Sequence, residues 1–318
     1  MLSHGRLGPW TAIGAAVAAC AALAVVSSVA PAAFALRHRV RLDVRAPRAL
    51  GPLLRFGAPT VPADAAVFAL NVVDRAYVLR AQSAAAAGLY AVAVKLATAV
   101  IVAVRGFQLA WPPLAYSITD EREARRLYAY VTTAYVLTAG LVVAGITLLG
   151  RWVVRLLASP AFYAAHEALP WVALGWALYG LFLVFVSIAG RAKVTTRTFP
   201  ASAAGLAVNV AALVVLVGPL GIAGAGIALC AAYLVMLAVV HVLTRRLFAV
   251  PFEWRRLAKI VAIVGGFALA GELFLPTAGA AGFAARAAVL AAIPGALAAA
   301  RTFSAQEIAS FRRSLRSG

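Results

Sequence analysis

Apolar runs of about twenty residues follow one another along almost the whole chain, and they constrain its fold more than any other feature. Nine such runs can be counted, at residues 9–36, 56–79, 87–117, 127–149, 169–190, 199–217, 221–243, 257–273 and 280–300. A helix needs about 20 apolar residues to cross the hydrocarbon core of a bilayer. Because 64% of the 318 residues are hydrophobic and only 12% are charged, the sequence predicts an all-α, polytopic membrane protein with about nine transmembrane helices.

The basic residues lie mainly in the short segments between the runs. Alternation of the runs places segments 37–55, 118–126, 191–198, 244–256 and the tail after residue 300 on one side, and 21 of the 29 Lys and Arg residues lie there when Lys259 is included. Such an excess marks the cytoplasmic side. We therefore expect a multi-pass protein of the bacterial cytoplasmic (inner) membrane, with its N-terminus outside and its C-terminus in the cytoplasm. The net charge of +19 then needs no nucleic acid as partner.

The first run fits two interpretations. Ala33, Phe34 and Ala35 match the cleavage pattern of a signal peptide. Cleavage there would require export of the basic cluster in residues 37–55, against the positive-inside rule, so we favour a retained helix. Residues 150–168 and the tail at 304–316 have amphipathic patterns, which predict helices that lie in the interface and contact membrane lipids.

Four ionisable residues interrupt the second and third runs, namely Asp74, Arg75, Lys95 and Arg105. A charge inside a spanning helix costs roughly 2.5–3.5 kcal/mol on insertion scales, so such residues usually face protein or a wet cavity. Asp74 can pair with Lys95 or Arg105 across a hairpin and simply join two helices. Three cations would still face one anion. Unless Arg75 and Arg105 reach the interface by snorkelling, this surplus favours an anionic ligand.

Two amides extend this candidate binding site. Asn71 precedes Arg75 by one helical turn and is placed to hydrogen-bond Arg75 or Asp74, and Gln108 follows Arg105 by about one turn. We therefore predict a substrate-binding set of Arg75, Lys95, Arg105, Gln108 and Asn71. Asp74, the only carboxylate deep in a run, is the candidate for a coupling proton or sodium ion.

Two further predictions concern structure alone. Glu272 and Arg286 lie near the outer ends of the last two runs, and we expect them to form an ion pair. Pro112 and Pro113 lie near the end of the third run. Because proline removes a backbone donor, we expect them to bend or break that helix.

Signatures of catalysis are absent from the sequence. There is no glycine-rich phosphate loop and no G-x-S-x-G motif. The four histidines are scattered without metal-ligand spacing, and Cys20 and Cys230 fall inside apolar runs, where packing explains them. The sequence predicts no enzyme activity, no catalytic residue, no metal and no cofactor.

Short motifs in residues 50–260 carry a resemblance. In chain order they are Phe56-Gly57-Ala58-Pro59, Asp74-Arg75, Gly88-Leu89-Tyr90 with Lys95, the run from Phe107 to Pro113, Leu169-Pro170, Gly221 to Ala225, and Tyr233-Leu234. In this order and spacing the chain resembles the bacterial polysaccharide flippases, O-antigen-type lipopolysaccharide flippases among them. These belong to the multidrug/oligosaccharidyl-lipid/polysaccharide exporter superfamily.

The resemblance implies an activity and partners. Such proteins move undecaprenyl-diphosphate-linked oligosaccharides across the cytoplasmic membrane for surface polysaccharide biosynthesis, through a cavity between two helical lobes. By resemblance, Arg75, Lys95 and Arg105 would meet the diphosphate or the sugars, and Tyr90 and Trp111 would stack on sugar rings or lie in an aromatic belt. Lipid-linked oligosaccharide is then the expected partner, with a glycan polymerase and glycosyltransferases as further candidates.

The length of the chain departs from this family, whose members usually have twelve or fourteen spans. We expect three parts: residues 1–55, one transmembrane helix and a basic cytoplasmic linker; residues 56–246, a complete six-helix second lobe; and residues 247–318, two extra helices and a basic tail. About five N-terminal spans would be missing, so we expect a truncated or partial chain. The alternative functions are a small-molecule exporter of the same superfamily and a non-transporting scaffold of a glycan-assembly complex.

Overall fold

The structure, a computed structural model, describes residues 60–302. The first predicted helix, the linker at 37–55 and the amphipathic tail lie outside these residues. The described part is helical throughout and has no strand. Its α-helices are α1 (Thr60–Ala81), α2 (Ala84–Leu96), α3 (Thr98–Ser117), α4 (Glu121–Leu157), α5 (Leu169–Arg191), α6 (Thr198–Thr244), α7 (Trp254–Phe274) and α8 (Gly279–Ala299), with short 3₁₀ helices at Pro160–Glu167 and Thr195–Arg197.

The helix α6 is a hairpin of two antiparallel arms. At 47 residues a straight helix would be about 70 Å long, more than twice the hydrocarbon core. Gly221 interrupts it with φ 58° and ψ −140°, a conformation open to glycine but not to residues with a Cβ atom. Across this turn a Cβ atom on Gly224 would collide with the Leu216 carbonyl oxygen. The first arm thus ends near residue 220 and the second returns beside it.

Five of the described helices are long and apolar enough to cross a membrane, or six if the bent pair α2–α3 counts as one span. The five are α4, α5, α6 with the 3₁₀ turn before it, α7 and α8. The helix α1 overlaps most of the second predicted run but is not one of the five. It carries Asp64, Asp74, Arg75 and Arg80, which lower its mean hydropathy. The predicted membrane-spanning, all-α class is confirmed, while the count of nine stays a prediction.

A bend in the third predicted span lies before its prolines. The helix α3 continues through Pro112 and Pro113 to Ser117, so the expected break near them is wrong. The chain instead bends by 48° between α2 and α3, where Ala97 ends one helix and begins the next. The two helices pack on different neighbours, α2 mainly on α1 and the longer 3₁₀ helix and α3 mainly on α5. Tertiary packing therefore sets the direction of each half.

The predicted interfacial helix at residues 150–168 is also only partly present. The helix α4 extends to Leu157, and the 3₁₀ helix Pro160–Glu167 fills the rest of the segment. Leu156 and Leu157 are exposed at the end of α4, while Val154 is buried. The first part of the segment therefore continues α4, and only the eight residues Pro160–Glu167 form a separate short helix.

The helix α5 forms the centre of the bundle. It packs on α3, α4 and the second arm of α6, and most of its side chains are buried. The helices α7 and α8 pack on each other and on the outside of α4. The helices alternate in direction. One end of the bundle therefore holds the first residues of α1, α4 and α7, the last residues of α3, α5 and α8, and both termini of the α6 hairpin.

That end, which we call the basic end, holds most of the positive charge of the described part. Its Lys and Arg residues are Arg122, Arg125, Arg126, Arg191, Lys193, Arg197, Arg245, Arg246, Arg255, Arg256, Lys259 and Arg301. The opposite end holds Arg80, Arg151 and Arg155. The charge asymmetry predicted from the sequence therefore coincides with the two ends of the folded bundle.

Candidate functional site

A buried carboxylate lies inside the bundle, and no Lys or Arg among residues 60–302 forms an ion pair with it. Asp74 is 1% exposed and accepts two hydrogen bonds from neutral groups. Tyr90 Oη on α2 donates to Asp74 Oδ2 at 3.1 Å, and Asn209 Nδ2 on α6 donates to Asp74 Oδ1 at 3.0 Å. Three helices thus meet at one side chain.

The local fold explains why these groups meet. The helices α1 and α2 form a hairpin whose turn is closed by Ser83, which accepts a hydrogen bond from the Ala86 amide at 3.1 Å. This turn brings Tyr90 back beside Asp74. The first arm of α6 runs parallel to α1, and Gln82 Nε2 donates to the Val217 carbonyl at 3.0 Å. Both bonds between α1 and α6 span 135 residues, so the two helices lie side by side in one register.

A free acceptor lies next to the carboxylate. Asn209 Oδ1 is buried and has no hydrogen-bond partner within residues 61–302. Asn209 is itself 0% exposed, and a buried amide oxygen without a partner is costly. Asp74 and the Asn209 side chain bonded to it thus supply carboxylate and amide oxygens. Such oxygens suit a shared proton or a hard cation.

Neither pairing proposed for Asp74 occurs. No ion pair joins Asp74 to Lys95 or Arg105 in the part of the chain that the structure describes. The side chains of Arg75, Lys95 and Arg105 are exposed, and none of them lies within 4 Å of a described carboxylate oxygen. The positive surplus predicted from the sequence is therefore left unbalanced by the described residues.

Two of these cations, Lys95 and Arg105, lie far from both outer ends of the bent pair α2–α3. At 1.5 Å per residue, Lys95 is roughly 17 Å from the start of α2 at Ala84, and Arg105 is roughly 18 Å from the end of α3 at Ser117. Half the hydrocarbon core is about 15 Å thick. Arg75 is only six residues from the end of α1 at Ala81, about 9 Å. Snorkelling is therefore easiest for Arg75.

The predicted amides behave differently from each other. Gln108 Oε1 accepts a hydrogen bond from Arg105 Nη1 at 2.9 Å, which fixes the direction of that guanidinium. Asn71 Nδ2 donates to the Val67 carbonyl of its own helix at 3.1 Å. The hydrogen bond to Asp74 or Arg75 that the sequence suggested for Asn71 is therefore not formed.

The aromatic residues considered for sugar stacking are core residues. Tyr90 and Trp111 are each 2% exposed. Tyr90 bonds Asp74, while Trp111 stacks on Phe107 with ring centroids 5.9 Å apart and meets the edge of Tyr128 at 4.9 Å. Neither presents a ring face to a ligand, so both the stacking and the aromatic-belt interpretations are wrong for them.

The predicted Glu272–Arg286 ion pair is confirmed, and it belongs to a structural cluster. Arg286 is fully buried and donates to Glu272. It also donates to the carbonyls of Pro276 at 3.1 Å and Leu148 at 3.2 Å. Its guanidinium lies 5.7 Å from the centroid of the Trp152 ring. This arginine joins α4, α7 and α8, and its donors are used by protein groups.

Sequence reasoning missed Asn209 as a member of the site. A signal for it existed, since Asn209 is an isolated amide in the apolar run 199–217. The pairing itself could not be read from the sequence, because Asp74 lies 135 residues away. Tyr90 was noted, but for a different role.

No group of three or more His, Cys, Asp or Glu residues able to hold a metal ion occurs in residues 60–302. Comparisons with known proteins add no assignment: no protein-family model, curated protein or solved structure matches this chain.

Proposed function

We propose that this chain takes part in moving undecaprenyl-diphosphate-linked oligosaccharide across the bacterial cytoplasmic membrane for surface polysaccharide biosynthesis. The observation that carries the proposal is the set Arg75, Lys95 and Arg105, three exposed cations with no carboxylate partner among the described residues. The resemblance to polysaccharide flippases supports the choice of cargo.

The charges suit a diphosphate cargo. A diphosphate that enters a region of low dielectric constant needs nearby cations, because Coulomb interactions there are several times stronger than in water. Arginine can hold phosphate through two parallel hydrogen bonds. Gln108 restrains the Arg105 guanidinium, and Lys95 adds a point charge on the preceding helix. A cationic cargo would instead require a surplus of carboxylates.

Asp74 is the proposed site for the coupling ion. An ionised carboxylate buried among neutral donors is unfavourable without a counter-charge, and uptake of a proton or sodium ion would supply one. Arg75 follows Asp74 directly on α1, so occupation of Asp74 can influence the cargo-facing side of the same helix. In this proposal Tyr90 and Asn209 position the carboxylate.

Exchange of the three cations for alanine tests the cargo proposal. We expect the R75A/K95A/R105A variant to lose flipping of a fluorescent diphosphate-linked oligosaccharide in proteoliposomes and complementation of surface polysaccharide in a deletion strain. As a matched control, R122A/R126A/K193A removes three exposed cations from the basic end and should retain both activities. Full activity of the first variant at normal expression would reject the ligand role.

The exposed basic side chains of Arg75, Lys95 and Arg105 also favour a second candidate, a non-transporting scaffold of a glycan-assembly complex. Exposed apolar side chains accompany the cations, including Phe68 at 71% and Leu109 at 79% exposure. A partner membrane protein could cover this surface. A purified chain that captures a glycan polymerase or a glycosyltransferase but does not flip lipid-linked oligosaccharide would support the scaffold over the flippase.

A further inference from the structure

The segment between α6 and α7 is folded tightly against the basic end. Phe248 is 5% exposed and meets the edge of Tyr128 at 5.5 Å between centroids. Phe252 stacks on Phe185 of α5 at 5.3 Å. Residues 245–253 therefore have a fixed aromatic side that faces the bundle.

The same fold brings together the two ends of this segment. His241, in the last turn of α6, contacts the Trp254 ring at the start of α7, with centroids 5.3 Å apart. Arg245 follows His241 by one helical turn, and Arg255 directly follows Trp254. Arg246 and Lys259 extend the group, since Lys259 lies one turn beyond Arg255 on the same face of α7. We call these four residues, Arg245, Arg246, Arg255 and Lys259, the linker patch.

Each cation of the linker patch is exposed, and none has a described carboxylate within 4 Å. Other cations of the basic end have partners within the protein. Arg256 pairs with Glu253 at 2.9 Å, and Arg191 donates to the Ala115 and Ile118 carbonyls at 3.0 and 2.8 Å. The fold therefore uses some cations of the basic end internally and leaves these four available.

Apolar side chains stand beside the available cations. Trp254 is 57% exposed and Leu247 is 44% exposed. Tryptophan is enriched where hydrocarbon meets lipid headgroups, and a surface that combines basic with bulky apolar side chains suits an anionic membrane interface. Contact with water alone would not explain exposed Trp254 and Leu247 side chains beside these cations.

We propose that the linker patch binds the headgroups of anionic phospholipids in the surrounding membrane, while Trp254 and Leu247 contact their acyl chains. Clusters of four or more basic residues next to a membrane helix attract anionic headgroups. Because the aromatic side of the same segment packs on α4 and α5, bound lipid stabilises the basic end of the bundle. This inference does not rest on the proposed transport function.

Native mass spectrometry of the full chain in detergent, with added phosphatidylglycerol or phosphatidylcholine, tests the proposal. We expect selective binding of phosphatidylglycerol and a rise in the unfolding temperature that phosphatidylcholine does not produce. The variant R245Q/R246Q/R255Q/K259Q should weaken phosphatidylglycerol binding at least about tenfold. It should also lose the lipid-induced rise in unfolding temperature.

The matched control is R80Q/R122Q/R126Q/R155Q, which removes the same amount of charge from exposed positions outside the patch. It should keep most of the phosphatidylglycerol binding. Equal loss in both variants would overturn the proposal, because net charge alone would then explain binding. Unchanged binding in the patch variant would overturn it directly. If the quadruple variant fails to fold, the R245Q/R246Q and R255Q/K259Q pairs, each compared with R122Q/R126Q, decide the question.

Discussion

Asp74 is held in an apolar interior by a phenol and an amide from two other helices. Each of these bonds is to a potentially charged group, and such bonds are worth more than neutral ones. Loss of one donor would leave a carboxylate oxygen without a partner. The site is therefore expected to matter for stability as well as for ion binding.

Tyr90→Phe should expose this dependence. The substitution keeps the ring in its packed position and removes only the hydroxyl that donates to Asp74, so we expect a loss of about 1–3 kcal/mol of stability. Thermal unfolding of the purified chain in detergent measures it. Tyr130→Phe is the control, since Tyr130 is 65% exposed, and it should change nothing. Equal stability of the two variants would contradict the role of the hydrogen bond.

Arg286→Ala should loosen α7 and α8 from α4. It leaves Glu272 and several carbonyls without their donor, and breaking a buried pair costs about 3–5 kcal/mol. Arg286→Lys should also destabilise, because an ammonium group cannot reach carbonyls on both sides as a guanidinium does. Unfolding temperature and protease cleavage between α7 and α8 report the change, with Arg155→Ala as an exposed control. A lysine variant as stable as the parent would show that charge alone suffices.

Residue-level prediction succeeded where partners lie near each other in sequence. Glu272 and Arg286 sit at facing ends of consecutive helices, so their pairing followed from helix length. The partners of Asp74 depend on which non-consecutive helices are in contact. The apolar pattern of α6 does not indicate that its first arm packs on α1. Exposure of Arg75, Lys95 and Arg105 likewise depends on how α1 and α3 are oriented.

At the scale of elements, Gly221 decides how α6 fits the bundle. Its backbone conformation turns one long helix into two arms, which pack closely because Gly205 on the first arm leaves room for the Met236 side chain on the second. The first arm meets α1 and the second meets α5. Straightening this turn would separate surfaces that the fold brings together.

Gly221→Ala should therefore destabilise the hairpin. A Cβ atom at φ 58° and ψ −140° introduces backbone strain of about 1–3 kcal/mol. Gly218→Ala is the matched control, because a Cβ atom there meets nothing within 4 Å, and it should leave stability unchanged or slightly raised. Comparison of the two unfolding temperatures checks the prediction. If Gly221→Ala left the unfolding temperature unchanged while Gly218→Ala lowered it, the turn could not be at Gly221.

The positions of most helices could be predicted from apolar runs, with ends within a few residues. The runs 169–190, 257–273 and 280–300 became α5, α7 and α8. The bend at Ala97 could not be predicted, because no glycine or proline lies there and packing on different neighbours produces it. The paired prolines do not break α3, and Trp111 and Ala115 beside them are buried in the bundle.

At the scale of the whole molecule, the two ends of the bundle differ in charge, and this sets the expected orientation. A chain with Cys20 and Cys230 changed to serine and one new cysteine at Ser83 should react with a membrane-impermeant maleimide in intact cells. A cysteine at Thr119, at the other end of the α2–α3 pair, should react only after lysis. Equal labelling of both positions from outside would show that this bent pair does not cross the membrane.

The long sequence distance between Asp74 and Asn209 also has a consequence for biogenesis. At 5–20 residues per second, the ribosome makes Asn209 about 7–27 s after Asp74, whereas Tyr90 follows within about 1–3 s. During that interval Tyr90 on the α1–α2 hairpin is the one of these two donors that Asp74 can reach. We therefore expect ribosome-bound intermediates that lack the first arm of α6 to be more sensitive to quality-control proteases than the complete chain.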